Sequence, residues 1–594
     1  MSDPSLFVSP LVRQAARNLH RLEVLTANPL WTNLFYRANF WRAWWVMALT
    51  PDEATAWLPA LAFAVSCEKN ADVLAEFAWQ PLPEPLPPEA RPWRDILIRN
   101  WEQRPVSTEE EKSIRLFALV RLDRRAERLP EWLREARRAL DLEPEDRHLR
   151  LAALAGWRPR PGDAPPHRGK AEAAQAWVRF WEERYRTSRS EPDGLIAAAA
   201  LLHLAEAGWL PSGPSPERLR EEFRQRVQQW PVSDLERSVL PMLLASVPAD
   251  TSAPQRRQQD IRKWLELTHR NVQWEKREAV WRMLAAWQRE GVLERSGRGR
   301  LPEPPLLLPL ARALEWEEGG EVLLAMMRYV PEAAEVSAYP EAARAVVAHW
   351  EALSRNGNWR ISPEAWVARW NLLRAGVLTA EEQSRFGADY VEAIGAEKCW
   401  EVLLALAQIT PPGTFPLATW AGRLSDQNDR RRLAAHLAIH GWLVEVMEGA
   451  NGEWRMASGS EASGEQRVEQ RVASSELPLA THHSPLAIIR RQVRQVMRRA
   501  GQEGTDAGTV APFVNLPPDV LPDFRRLREI ETALAAGQMP PPPDAAAENL
   551  ATPRAVPARL PEAHPRTGPP GITGRTAGSE STTRHPFPEP VRHE

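Results

Sequence analysis

The sequence predicts a mainly α-helical protein. Three observations carry that expectation. Apolar residues recur at three- and four-residue spacing along most of the first 440 positions, strand signals are nearly missing from the first 250, and clusters of proline separate the periodic runs.

The first 250 residues read as successive amphipathic helices of ordinary length: Val12–Leu25, Leu34–Leu49, Glu53–Cys67, Glu110–Leu122, Pro130–Leu142, Ala171–Arg186 and Gly194–Ala207. Proline-rich loops such as 80–88 and 158–166 lie between them. Two stretches, 48–57 and 139–146, resemble the closing helix and turn of a tetratricopeptide-like repeat. Their separation is not a multiple of the period of about 34 residues that such repeats use. The resemblance therefore implies paired antiparallel helices, a solenoid-like region 1–250, and a long surface suited to protein partners.

The next segment, 251–303, reads as helices Asp260–Leu267 and Trp274–Glu290 followed by a glycine-relieved turn, 291–301. A helical connector, 304–396, follows with Leu306–Arg328, Pro340–Leu353, Pro363–Leu378 and Glu381–Ile394. Residues 397–457 change texture: helical runs Trp400–Gln408, Pro416–Leu424 and Asp426–His440 lead to two short strands, Trp442–Val446 and Glu453–Met456, around Asn451-Gly452. An Asn-Gly pair flanked by alternating apolar residues is a strong hairpin signal. Three helices closed by a small β-hairpin resemble a winged helix-turn-helix module, and 251–303 resembles a second one with a shortened wing. Such modules imply duplex DNA or a protein as the partner. The module at 397–457 is also similar to wing domains of plasmid and phage replication proteins, on Leu433, Leu437, Gly441 and Trp442. Residues 458–594 read as a mostly disordered tail, with a basic amphipathic helix at 484–500 and a further helix, Pro522–Ala536.

Composition sets the background. Apolar residues make up 43%, charged residues 26%, and the formal net charge is −2, so local patches decide whether nucleic acid binds. Only six of the 76 basic residues are lysine, so almost every cation is a guanidinium fork suited to phosphate or carboxylate. The 27 tryptophans sit mostly at apolar helical positions (Trp41, Trp44, Trp45, Trp274, Trp281, Trp287), which points to core packing before base stacking. The longest apolar run, Leu195–Leu210, carries His203 and Glu206 and is short for a membrane span; a buried helix and no membrane partner are expected. No N-terminal stretch has the order of a signal peptide. Cys67 and Cys399 belong to no metal-spaced cluster, and a reduced, cytoplasmic setting follows.

Duplex DNA demands positive charge on the recognition helix and wing, because phosphate neutralisation supplies non-specific affinity. Residues 254–300 hold twelve Lys/Arg against six Asp/Glu. Lys276, Arg277, Arg282 and Arg289 fall on the expected recognition helix, with Arg295, Arg298 and Arg300 on the turn. In 419–456 five arginines meet five acids; Arg430, Arg431 and Arg432 cluster at the helix start, while Glu445, Glu448 and Glu453 line the wing. Arg490, Arg491, Arg494, Arg498 and Arg499 form a further basic face. Each of these runs is equally the pattern of a solvated helix side.

Enzyme signals fail in turn. Gly169-Lys170 lacks the upstream glycine of a phosphate loop, and Gly297-Arg-Gly299 follows no strand long enough for a dinucleotide fold. Glu110-Glu-Lys112 imitates part of a nuclease carboxylate–lysine motif in a helical context that does not suit one. His436 and His440 share a helical face, but no third metal ligand has suitable spacing, so no metal, cofactor or catalytic residue is expected. The expectation is a non-enzymatic, DNA-associated adaptor that binds duplex DNA through the winged modules and protein partners through the N-terminal helices. The alternative is a helical protein–protein scaffold whose winged modules dock proteins.

Overall fold

Among the described residues every regular element is a helix and no strand occurs. The computed structural model describes residues 8–443, with breaks at 80–85, 160–171, 233–238, 249–253, 290–304, 410–414 and a few one- or two-residue positions, and residues 524–541. These all lie within one unit, residues 1–552.

In chain order the helices are α1 (Pro10–Ala27), α2 (Leu34–Val46), α3 (Pro51–Thr55), α4 (Leu58–Cys67), α5 (Ala71–Ala78), α6 (Arg91–Gln103), α7 (Glu109–Leu122), α8 (Leu129–Ala139), α9 (Pro144–Ala155), α10 (Glu172–Thr187), α11 (Glu191–Glu206) and α12 (Pro216–Gln229). Then come α13 (Val239–Ser246), α14 (Pro254–Leu265), α15 (Trp274–Arg289), α16 (Leu307–Leu314), α17 (Gly320–Met326), α18 (Ala333–Ala338), α19 (Pro340–Arg355), α20 (Ser362–Arg374), α21 (Ala380–Ala396), α22 (Trp400–Leu406), α23 (Leu417–Arg423), α24 (residues 429–443) and α25 (Phe524–Ala535). Local chemistry sets many of the ends. Thr50, Thr108 and Thr379 each close a capping box with the glutamate three residues on. Proline opens α3, α9, α12 and α19, where its missing N–H is not needed. Gly208 ends α11 at φ +73°, letting the Trp209 N–H reach back to the Leu204 carbonyl at 2.8 Å.

The helices stack as pairs, and side chains tie each pair to the next at a spacing near 40 residues. Asn18 Nδ2 donates to the Ala56 carbonyl (3.1 Å), Asn100 Nδ2 to Ala62 (2.7 Å), Arg121 to Ala78 (3.0 Å) and Trp287 Nε1 to Val247 (3.0 Å). Gln288 satisfies both the N–H and the carbonyl of Val330. The bonds to Ala56, Ala78, Val247 and Val330 cap groups at or just past helix ends, while that to Ala62 adds a second partner within α4. This spacing explains why a search at about 34 residues finds no register.

One row of helices runs α2–α5–α7–α9–α13–α15–α17, each packed on the one before. The row then returns to its start. Arg360, at the head of α20, lies 4.0 Å from Glu321 of α17, and α20 and α22 both pack on α2. At that seam Asn371 Nδ2 donates to the Val46 carbonyl (2.8 Å), Arg374 pairs with Glu53 (2.7 Å) and Arg21 donates to the Ala407 carbonyl (2.8 Å). The helical pairs therefore close into a ring. α25 packs outside it on α1, burying Leu527, Ile530 and Leu534 and pairing Arg526 with Glu23 at 2.6 Å.

Tryptophan fills the layers between rows. Trp41, Trp93, Trp132, Trp177, Trp264, Trp281 and Trp350 are fully buried, and α11 is enclosed along Leu195–Leu204. No helix is long and apolar enough to cross a membrane among the described residues.

Of the two expected winged modules the described residues cover the helices but not the wings. α14 and α15, expected as the core of the first module, are ring members: α15 packs on α13 and α17. The turn expected at 291–301 lies outside the described residues. In the second module the strand expected from Trp442 does not begin there, because Trp442 and Leu443 continue α24. The cause is helical spacing: Leu433 and Leu437, and likewise Ile439 and Leu443, lie four residues apart and are buried. The rest of that hairpin, 444–456, lies outside the described residues, as does the basic helix at 484–500.

Candidate functional site

Six helices of the closed row converge on a cavity of about 440 Å³. Its wall is made by α5, α7, α9, α13, α15 and α17, which the ring brings side by side although they span 250 residues of sequence. Ile114, Leu149, Pro241 and Met242 give it apolar surface, with Trp79 following α5. Asp72, Glu110, Glu278 and Glu321 supply carboxylates, and Arg282 is the one cation of the wall among the described residues.

Helix geometry explains the acids. Asp72, Glu110 and Glu321 each sit in the first turn of a helix, where a carboxylate complements the positive end of the helix dipole. Stacking the helices in parallel places these first turns around one opening. The resulting crowding is visible at Glu110. Although its side chain reaches solvent, partial desolvation raises its pKa, and Asp72, Glu111, Asp146 and Glu145 push the same way. Neither Asp72 nor Glu110 forms an ion pair with a described residue.

Arg282 is held differently. Its guanidinium lies 2.6 Å from the Glu278 carboxylate and 5.9 Å from the centroid of the Trp79 ring, reaching from α15 to α5. Ser113, also in the wall, donates its hydroxyl to the Glu109 carbonyl at 3.0 Å within its own helix, so it is not poised as a nucleophile. Next to Glu321, the first turn of α20 carries Glu364, only 3% exposed, with its Oε2 lacking a hydrogen-bond partner. Burial pushes Glu364 up to about 8, against the opposing pull of Arg42 and Arg328. Its folded pKa lies above the unfolded value near 4.5, so its contribution to stability is lost as pH rises from about 4.5 to about 8. Glu364→Gln is expected to flatten that part of the pH–stability curve and to leave stability below pH 4.5 nearly unchanged, which urea unfolding across pH will show.

The sequence-predicted basic residues take other places. Lys276 is 5% exposed, and its ammonium donates to the Gln228 carbonyl at 2.8 Å, with burial lowering its pKa. Arg277 makes a two-pronged pair with Glu317 (2.7 and 3.0 Å), donates to the Val272 carbonyl and stacks 5.3 Å over Trp316. Arg282 belongs to the cavity wall. Arg289 is helical, but its side chain lies outside the described residues, as do Arg295, Arg298, Arg300, Arg490, Arg491, Arg494, Arg498 and Arg499. Arg430 is exposed and lies 5.9 Å over Trp400. Arg431 pairs with Asp426 (3.2 Å), and Arg432 pairs with Asp429. The described guanidinium groups thus turn mostly onto acids and rings of this chain, through partners up to 40 residues away that a local charge balance cannot register.

A third histidine does join His436 and His440. His20 of α1 comes within 5.2 Å of His440, ring to ring, with Glu23 3.8 Å from His20. Even so, no three His, Cys, Asp or Glu side chains among the described residues are arranged to hold a metal ion. The cavity acids escaped sequence reasoning because each one reads locally as an ordinary helix-start residue. Glu110 was the only one flagged, and for an unrelated motif.

The chain matches no protein-family model and no curated protein sequence.

Proposed function

We propose that this protein is a helical-pair scaffold that seats a segment of a partner protein against the inner row of its ring. The observation that carries the reading is the cavity itself, formed only because helices from α5 to α17 share one inner face. A volume of this order suits one or two side chains of a docked segment. The buried partners of Lys276 and Arg277 support a protein partner over DNA, since each of these two cations would have to leave an internal partner to meet phosphate.

Selection of displayed random dodecapeptides on the full chain tests this. Peptides should enrich, and Ala75→Trp, which fills the cavity, should abolish their binding while leaving the helical circular dichroism intact. Enriched peptides that ignore the filled cavity, or no enrichment, would refute it. The duplex-DNA reading rests on Arg289, Arg295, Arg298, Arg300, the exposed Arg430 and the 490–499 run. A DNA titration at roughly 50 and 200 mM salt decides it, because a phosphate-dependent complex weakens by orders of magnitude over that range. The scaffold reading predicts no saturable duplex binding, and replacing Arg295, Arg298 and Arg300 by alanine should change nothing.

A further inference from the structure

We infer that the cavity recognises a basic side chain, a guanidinium or ammonium group presented by the docked segment. This rests on the scaffold reading and specifies what the seat selects. Among the described residues the wall holds four carboxylates and one arginine; Glu278 engages that arginine, and Glu321 has Arg360 4.0 Å away outside the lining. Asp72 and Glu110, on neighbouring helices, have no described counter-ion of their own. The wall also shows how it treats a guanidinium: Arg282 is held between a carboxylate and the Trp79 ring. A planar cation gains from both kinds of contact, electrostatic attraction to the ring face and paired hydrogen bonds to a carboxylate. Ile114, Leu149 and Met242 offer apolar surface for the aliphatic stem of a long basic residue, which buries its methylenes while its charge stays near the acids. The opposite choice, an acidic or neutral side chain, would meet uncompensated like charge at Asp72 and Glu110 or leave it in place.

The test uses the full chain and a fluorescent Gly/Ser dodecapeptide carrying three arginines, beside the same peptide with citrulline at those positions. Citrulline keeps the shape and loses the charge. The arginine peptide should bind, the citrulline peptide should not, and the Asp72→Asn, Glu110→Gln double variant should weaken binding by about tenfold or more, equivalent to about 1.4 kcal/mol. A control pair on α21, Glu381→Gln with Glu392→Gln, removes the same charge away from the cavity and should leave affinity unchanged. Equal loss in both double variants would show attraction by net charge and overturn the inference. Equal binding of the citrulline peptide would overturn it too, while leaving the scaffold reading standing. Agmatine binding that depends on Asp72 and Glu110, with neither peptide bound, would identify a seat for a free organic cation and remove the scaffold reading instead. Stronger peptide binding once Arg490, Arg491, Arg494, Arg498 and Arg499 are changed to glutamine would identify this chain's own basic run as occupant and overturn assignment to an outside partner.

Discussion

Replacing Arg277 by alanine is expected to destabilise the protein by about 3–5 kcal/mol, because it strands a buried carboxylate. Glu317 is 5% exposed and takes both prongs of the Arg277 fork. The guanidinium also covers the Trp316 ring, so the loss includes packing as well as charge. Changing both residues, Arg277→Met with Glu317→Leu, should recover most of the loss, since no isolated charge then remains. An arginine held at a surface for phosphate would behave differently: its removal would alter stability by no more than about 0.5 kcal/mol. Urea unfolding of the two variants beside the parent separates these roles without any nucleic acid in the experiment.

Acid should weaken the ring through His203. This residue lies in α11, is 2% exposed, and its Nδ1 is 2.8 Å from the Ala155 carbonyl, while Nε2 lacks a partner. Burial, helped by the charge of Arg158, lowers its pKa to about 3 from an ordinary value of 6.5. The unfolded chain therefore binds a proton that the folded chain refuses between those values. Stability is fully present above pH 6.5 and falls as pH drops toward 3, by about 1.4 kcal/mol per pH unit and on the order of 5 kcal/mol in all. His440, buried beside His20 and His436, is shifted the same way. Glu364 has the opposite slope between about 4.5 and 8, so the net acid loss should be steepest below pH 4.5. His203→Asn keeps a donor toward Ala155 and does not titrate; its stability curve should lose this share of the acid slope.

Helix positions were the legible part of this chain. The run Trp274–Glu290 became Trp274–Arg289, and Glu381–Ile394 became Ala380–Ala396, because long amphipathic periods leave little choice of structure. Short or evenly apolar helices were harder. Ala71–Ala78 spans about two turns, and Val239–Ser246 has hardly a polar residue to reveal a period. At Trp442 an alternating apolar stretch read as strand where α24 simply runs on. The site was not legible at all. Asp72, Glu110, Glu278 and Glu321 have ordinary local explanations, and only the closing of the row brings them to one cavity. The engagement of Arg277 was hidden for the same reason, since Glu317 lies 40 residues beyond it and outside any local window.

Everything at the site follows from that closure, and the α3–α20 seam reports on it most directly. Spin labels at the exposed positions 52 and 381, which leave the Arg374–Glu53 pair (2.7 Å) intact, with Cys67 and Cys399 replaced, should give a single narrow distance distribution in double electron–electron resonance. A long or broad distribution would mean an open solenoid, whose inner helices enclose no common cavity, and would contradict the account.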